Sequence, residues 1–171
     1  TPDTAPGAPA WVKVSDPQNH SVLVSWGKIA NDGSPLTVIH VTSSGADHRV
    51  AAGQSSVRIS TPSNNESYSF TVAGENAYDI GPSVSAWGQS SGKPSGLVVR
   101  APQPATQVGA ATRVSISWTL VSPEGPTPVS YQVVRSDGKR ICTTTATTCV
   151  DDTVTFDGAR YTYKVTATNA T

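Results

Sequence analysis

Alternate positions along this chain are apolar in four well-separated stretches. In Val22-Leu23-Val24-Ser25-Trp26, Val22, Val24 and Trp26 share one face while Leu23 and Ser25 take the other. Tyr68-Ser69-Phe70-Thr71-Val72, Val114-Ser115-Ile116-Ser117-Trp118 and Tyr161-Thr162-Tyr163-Lys164-Val165 follow the same rule. Successive side chains of a strand point to opposite sides, so the pattern predicts antiparallel strands with one buried and one wet face. No stretch carries the i, i+3, i+4, i+7 spacing of an amphipathic helix. Turn formers separate the strands: Asn31-Asp32-Gly33, Gly53, Pro62, Gly81-Pro82, Gly109, Pro123-Glu124-Gly125-Pro126 and Asp137-Gly138. Short strands punctuated in this way predict an all-β sandwich or barrel.

The pattern occurs twice. Trp26 and Trp118 are 92 residues apart, whereas Tyr68 and Tyr161, and Asn76 and Asn169, are each 93 apart. An offset of 92 or 93 carried by three separate landmarks predicts two copies of one module, residues 1–92 and 93–171. The Gly/Ser/Pro-rich run Gln89–Gly96 reads as the linker between them, and Thr1–Pro9 as a linker before the first. After Asn76 the first copy continues through Gly81-Pro82-Ser83 into a last strand, but only Ala170 and Thr171 follow Asn169. The second copy is therefore expected to lack its final strand. Residues beyond 171 are expected to supply it, and without them another chain or a neighbouring segment would pair with that edge; otherwise the protein is expected to be a monomer.

Taken together, these residues resemble fibronectin type III domains over nearly the whole length of each copy. The first copy carries Ser25-Trp26, the loop Asn31-Asp32-Gly33-Ser34-Pro35-Leu36-Thr37, Tyr68-x-Phe70-x-Val72 and Asn76. The second carries Ser117-Trp118, Tyr131-x-Val133 and Tyr161-x-Tyr163-x-Val165-x-Ala167-x-Asn169. Ile39 stands where the family often has tyrosine, and the spacing from Pro62 to Tyr68 is longer than usual. The resemblance implies two tandem immunoglobulin-like β-sandwiches in an extracellular protein. The Thr/Ser/Ala-rich strands and the Cys142…Cys149 stretch are similar to repeats of large surface proteins from high-GC Gram-positive bacteria, including gut commensals. Paired modules of this kind resemble the ligand-binding part of cytokine receptors. The implied partner is a host extracellular protein, such as a cytokine or an adhesion target. Passive spacing between other domains, or attachment to a polysaccharide-degrading enzyme, are the alternatives.

Charge narrows the partners. Lys plus Arg equals Asp plus Glu at 12 each, so nothing in the balance points to nucleic acid or an anionic lipid surface. The apolar runs are far shorter than the roughly 18 residues of a membrane-spanning helix. The chemistry-bearing residues are sparse. His20, His40 and His48 show no metal-ligand spacing and read as surface residues. Asp151-Asp152 lies in a turn-rich stretch without the further oxygens of a calcium loop. No serine is read as a nucleophile, so no enzyme, cofactor or metal is expected.

Trp26 and Trp118 sit mid-strand in alternating patterns and are expected in the core, as are Tyr68 and Tyr161, whose hydroxyls should bond nearby backbone as corner tyrosines. Trp11 precedes the inward pair Val12 and Val14 and should turn outward. Trp87 lies near the end of the first copy's last strand, and Tyr78 and Asp79 lie in the loop before it. With Lys93 they are the candidate protein-binding residues around the junction, since aromatics on a rigid scaffold concentrate binding energy. Cys142 and Cys149 are expected to form a disulfide closing a short loop, worth about 2–3 kcal/mol on chain entropy. Two buried free thiols are the alternative.

Overall fold

The computed structural model describes residues 4–170 apart from 104, 105, 109, 110, 128, 156 and 157, with backbone alone at 106–108 and 111. The chain forms two compact units, Thr1–Ser91 and Gly92–Thr171. The described residues are strands and loops without a helix.

The first unit contains β1 (Val12–Gln18), β2 (Ser21–Trp26), β3 (Val38–Ser43), β4 (Ala46–Ala51), β5 (Ser56–Ser60), β6 (Tyr68–Glu75) and β7 (Val84–Gly88). One sheet has the order β1-β2-β5 and the other β4-β3-β6-β7, all neighbours antiparallel. Alternation fills the space between them with Val22, Val24, Trp26, Ile39, Val41, Ile59, Phe70 and Val72, all buried. Seven strands in packed sheets of three and four make an immunoglobulin-like sandwich of the fibronectin type III kind.

The second unit contains β8 (Ser95–Val99), β9 (Thr106–Val108), β10 (Ala111–Ser122), β11 (Ser130–Arg135), β12 (Arg140–Thr144), β13 (Thr148–Val154) and β14 (Tyr163–Thr168). Strands β8 and β9 pair successive parts of β10, which also pairs β13; the opposite sheet is β12-β11-β14. Its core holds Ile116, Trp118, Tyr131, Val133 and Val165, with Trp118 and Tyr131 at 5.3 Å between ring centroids. The edge of β14 away from β11 pairs with no strand among the described residues.

The repeat extends to individual hydrogen bonds. Asn76 donates through Nδ2 to the carbonyls of Thr4 (2.7 Å) and Asn31 (3.4 Å). Asn169 donates in the same way to Gly92 (2.8 Å) and Pro123 (3.0 Å). One asparagine thus ties the start of each module and the loop after its second core strand to the end of β6 or β14.

From Thr4 the stretch before the first module is bound to it. Thr4, Gly7 and Ala10 donate to the carbonyls of Asp32, Ala30 and Lys28, with Pro6 and Pro9 buried between them. Proline fits there because the intervening positions require no donor. At the boundary, Ser90 is fully buried, its hydroxyl 2.6 Å from Thr61 Oγ1, and Ser91 donates to Gln18. Gly92 donates instead to Glu124, inside the second unit.

Candidate functional site

The outward face of the first unit's four-stranded sheet carries the most developed polar chemistry of that unit. Ile39 and Val41 of β3 point into the core, which turns His40 and Thr42 outward. The Ser44-Gly45 turn, with φ of 50° and 81°, sets Thr42 opposite Asp47 and His40 opposite Arg49. Positive φ at both central positions is the two-residue hairpin geometry that matches strand twist. On the other side, β6 places Glu75 within reach. His40 Nδ1 is 2.8 Å from Asp47 Oδ2 and Nε2 is 2.8 Å from Glu75 Oε2, while Arg49 Nη2 donates to the same Glu75 oxygen at 2.9 Å.

His40 is 8% exposed, contrary to its expected place on open surface. Sequence spacing missed its carboxylates because they arrive from two neighbouring strands. Reading Ser44-Gly45 as a hairpin turn would have found Asp47 as a cross-strand neighbour. Burial opposes a charge on the imidazole, but hydrogen bonds to Asp47 and Glu75 outweigh it and raise its pKa above 6.5. A raised folded-state value means that this stabilisation is complete below pH 6.5 and is lost as pH rises through the folded value. The first unit should therefore melt higher at pH 6 than at pH 8. His40→Gln should flatten that difference and cost on the order of 1–3 kcal/mol at pH 6, the scale of hydrogen bonds to charged groups. Calorimetry at the two pH values measures both; an unchanged pH dependence in the variant would remove His40 as its source.

His40, Asp47 and Arg49 of this cluster also line a shallow depression of about 570 Å3, together with Thr42, Thr71, Ala73, Ile80, Gly81 and Ser83. Ile80 is 49% exposed and Tyr78 58% exposed. Their loop is fixed by Asn76, whose Oδ1 accepts from the amides of Tyr78 (2.9 Å) and Asp79 (3.2 Å). Asp79 is exposed and accepts from the Ile80 amide. Trp87 projects outward from β7 at 70% exposure.

Within the first unit Trp87 and the Tyr78–Ile80 loop lie apart. Trp87 stands opposite Ser69, whereas Ile80 bridges to Glu75, so they are six residues apart along β6 or about 20 Å. Tyr78 and Asp79 lie at the end of the sandwich that holds Thr4 and Asn31, away from Ser91 and its partner Gln18. Trp11, 51% exposed, lies across Gly27, where a Cβ would come within 2.6 Å of its indole nitrogen. Lys93 is exposed and belongs to the second unit.

Trp26 and Trp118 are buried. The Tyr68 hydroxyl accepts from the Ser63 amide at 3.0 Å, the corner bond expected of it. Tyr161 differs. Its ring lies under the Arg135 guanidinium, 4.3 Å from the centroid, and no described residue hydrogen-bonds its hydroxyl. Cys142 and Cys149 are disulfide-bonded and join β12 of one sheet to β13 of the other.

Asp151, read from sequence as part of a turn, is in β13 and completely buried. Its carboxylate accepts from Arg135 Nη1 (3.0 Å), the Tyr163 hydroxyl (3.0 Å), the Thr153 amide (2.9 Å) and the Thr153 hydroxyl (2.7 Å). Burial pushes its pKa up, but these bonds outweigh it and hold the group below the usual carboxylate value. The Arg135 bond holds Asp137 at about 2. Burial and the bond to Asp151 push Tyr163 up to about 12. Every member is satisfied from within the sandwich, so the cluster is structural.

Gly88-Gln89-Ser90-Ser91-Gly92 has the Gly-x-Ser-x-Gly spacing of a hydrolase nucleophile, which the sequence reading passed over. The motif needs an exposed serine on a strand-to-helix turn. Ser90 instead follows a strand, is buried, and donates to the Ser63 carbonyl at 3.2 Å. Among the described residues no group of three or more His, Cys, Asp or Glu is placed to hold a metal, and no helix is long and apolar enough to cross a membrane.

No family model and no curated protein matches this chain. Among solved structures it is similar to chicken CNTN1 FN1-FN3 domains, at 18% identity and a TM-score of 0.47 over 96% of this chain; it spans 62% of that chain. It is also similar to a structure described as FN3tt mut, at 24% identity and a TM-score of 0.39 over 50% of this chain and 97% of that one. The strand order defines this protein as a pair of fibronectin type III-like modules. That fold and the disulfide are consistent with an extracellular setting.

Proposed function

We propose that this pair is a non-catalytic recognition segment of a bacterial surface protein, and that it binds a host extracellular protein of the cytokine or adhesion-target kind. The supporting observation is the outward sheet face of the first module. Tyr78 and Ile80 stand exposed at one end of it and Trp87 at the other, with the small-residue depression and the His40 cluster between. About 20 Å between Ile80 and Trp87 suits a protein surface better than a small ligand. Exposed aromatics on a rigid sheet concentrate binding energy at little entropic cost.

The test is a binding screen of the purified pair against host extracellular proteins, repeated with Tyr78→Ala/Trp87→Ala. Truncating two anchors should weaken binding about 100-fold or more. Undiminished binding by the double variant would move the site elsewhere. A screen without a hit would favour the spacer reading.

A further inference from the structure

A neutral imidazole has one N–H donor and one bare nitrogen; only the charged ring donates from both sides. His40 sets both nitrogens 2.8 Å from carboxylate oxygens, Nδ1 on Asp47 and Nε2 on Glu75. That is the geometry of the imidazolium. Once the ring loses a proton, one carboxylate faces a lone pair at hydrogen-bond distance and must turn away. Arg49 decides which. It donates to the same Glu75 oxygen and pins it beside Nε2, so the remaining proton stays on Nε2 and the clash falls on Asp47. Asp47 lies on the edge strand β4 and is the more exposed of the two carboxylates. His40 is its one side-chain partner among the described residues.

Asp47 lines the depression on this face. Asp47, Thr42 and Thr71 stand in register across β4, β3 and β6, three oxygen-bearing side chains in one row. Ala73 and Ile80 give the depression apolar surface. The charged groups facing His40 are Asp47 and Arg49 from β4 and Glu75 from β6. Strand β7 brings none, and Asp79, on the loop before it, is bonded to the Ile80 amide outside the depression. With His40 charged, two cations balance two anions. With His40 neutral, one negative charge is left over, and it belongs to Asp47.

We propose that the depression is a subsite for one alkylammonium group, as a lysine side chain carries, admitted when His40 gives up its proton. The leftover charge selects a cation over an anion. An ammonium has three donors and no acceptor, which matches Asp47 and the two threonine hydroxyls, and its stem packs on the apolar wall. Arg49 competes little, since its charge is taken up by Glu75. That a partner protein supplies the lysine rests on the recognition role proposed for this face. The subsite itself does not, and a small cation probes it alone.

The probe is n-butylammonium chloride, titrated into the full chain with histidine nitrogens and threonine and alanine methyl groups labelled for NMR. Sodium chloride at equal ionic strength and n-butanol are the controls. The midpoint of His40 is read first, and above it Nδ1 should be the nitrogen that has lost its proton. One pH unit above that midpoint, butylammonium should shift the methyl signals of Thr42, Thr71 and Ala73 saturably, and neither control should. One unit below, binding should be about tenfold weaker, because proton and cation compete for one carboxylate. The probe itself stays charged throughout, as an alkylamine titrates far higher than histidine. Asp47→Asn, on an exposed edge, should keep the fold and lose the binding. Deprotonation at Nε2 instead, no binding beyond the controls, equal affinity on both sides of the midpoint, or undiminished binding by Asp47→Asn would each overturn the proposal. None of these outcomes bears on Tyr78 and Trp87 as anchors, and a partner screen without a hit leaves the subsite standing.

Discussion

Trp26→Ala should unfold the first module and leave the second folded, and Trp118→Ala should do the reverse. Trp26 is 3% exposed and Trp118 2%. Each is a large side chain at the centre of its own core, within a separate compact unit. Removing an aromatic of this size leaves a cavity that neighbours only partly close, a loss of about 3–5 kcal/mol. That is a large part of the stability of a module of this length. Trp118 should sit at the upper end, because it also loses its tilted stacking on Tyr131, worth about 0.5–1.5 kcal/mol beyond area. Denaturant unfolding followed by circular dichroism should show one transition lost or shifted and the other unchanged. A loss below about 1 kcal/mol in either variant would contradict the placement of that tryptophan at the core centre.

Asp151→Ala should destabilise the second module by about 3 kcal/mol, because buried Arg135 loses one of its two carboxylate partners, keeping only Asp137, and the Tyr163 and Thr153 hydroxyls lose their acceptor. Aligning the modules shows what the network replaces. Val22 pairs with Ile59 in the first and Val114 with Asp151 in the second, and Phe70 corresponds to Tyr163. A buried Ile–Phe contact region in one sandwich is an ion pair with a tyrosine in the other. Restoring the apolar version, with Asp151→Ile, Arg135→Ser and Tyr163→Phe together, should be neutral or stabilising by about 1–4 kcal/mol. The triple variant being as unstable as Asp151→Ala would show that the network contributes more than its own satisfaction.

The same pair sets an acid dependence opposite in sign to that of His40. Asp151 and Asp137 have folded pKa values below the ordinary 3.8. Their contribution is present above that value and is lost as pH falls from about 4 toward 2. The second module should therefore weaken in acid, while the first gains its His40 interactions on going from pH 8 to pH 6.

Much of the fold was legible because burial in a strand has a period of two. Val22, Val24 and Trp26 could be placed inward from sequence alone, and the Trp, Tyr and Asn landmarks exposed the duplication. The Cys142–Cys149 bridge was legible from spacing and from the extracellular character of the domains these residues resemble. The candidate face was only half legible. Outward aromatics at 78 and 87 could be named, but their separation follows from the register of β6 with β7, and an absolute register is not written in alternation alone.

What the sequence by itself determined is the class of the fold, its duplication and the central apolar residues of its two cores, since these follow from side-chain period and apolar size. The tertiary structure alone decided which polar groups meet. His40 gains carboxylates from two different strands, Asp151 enters a core through its pairing with Val114, and Tyr161 exchanges a corner bond for a guanidinium. Each depends on residues distant in sequence converging to within about 3–4 Å, the range over which hydrogen bonds and ion pairs act. Local pattern carries the direction of a side chain; only the packed sheets bring its partner.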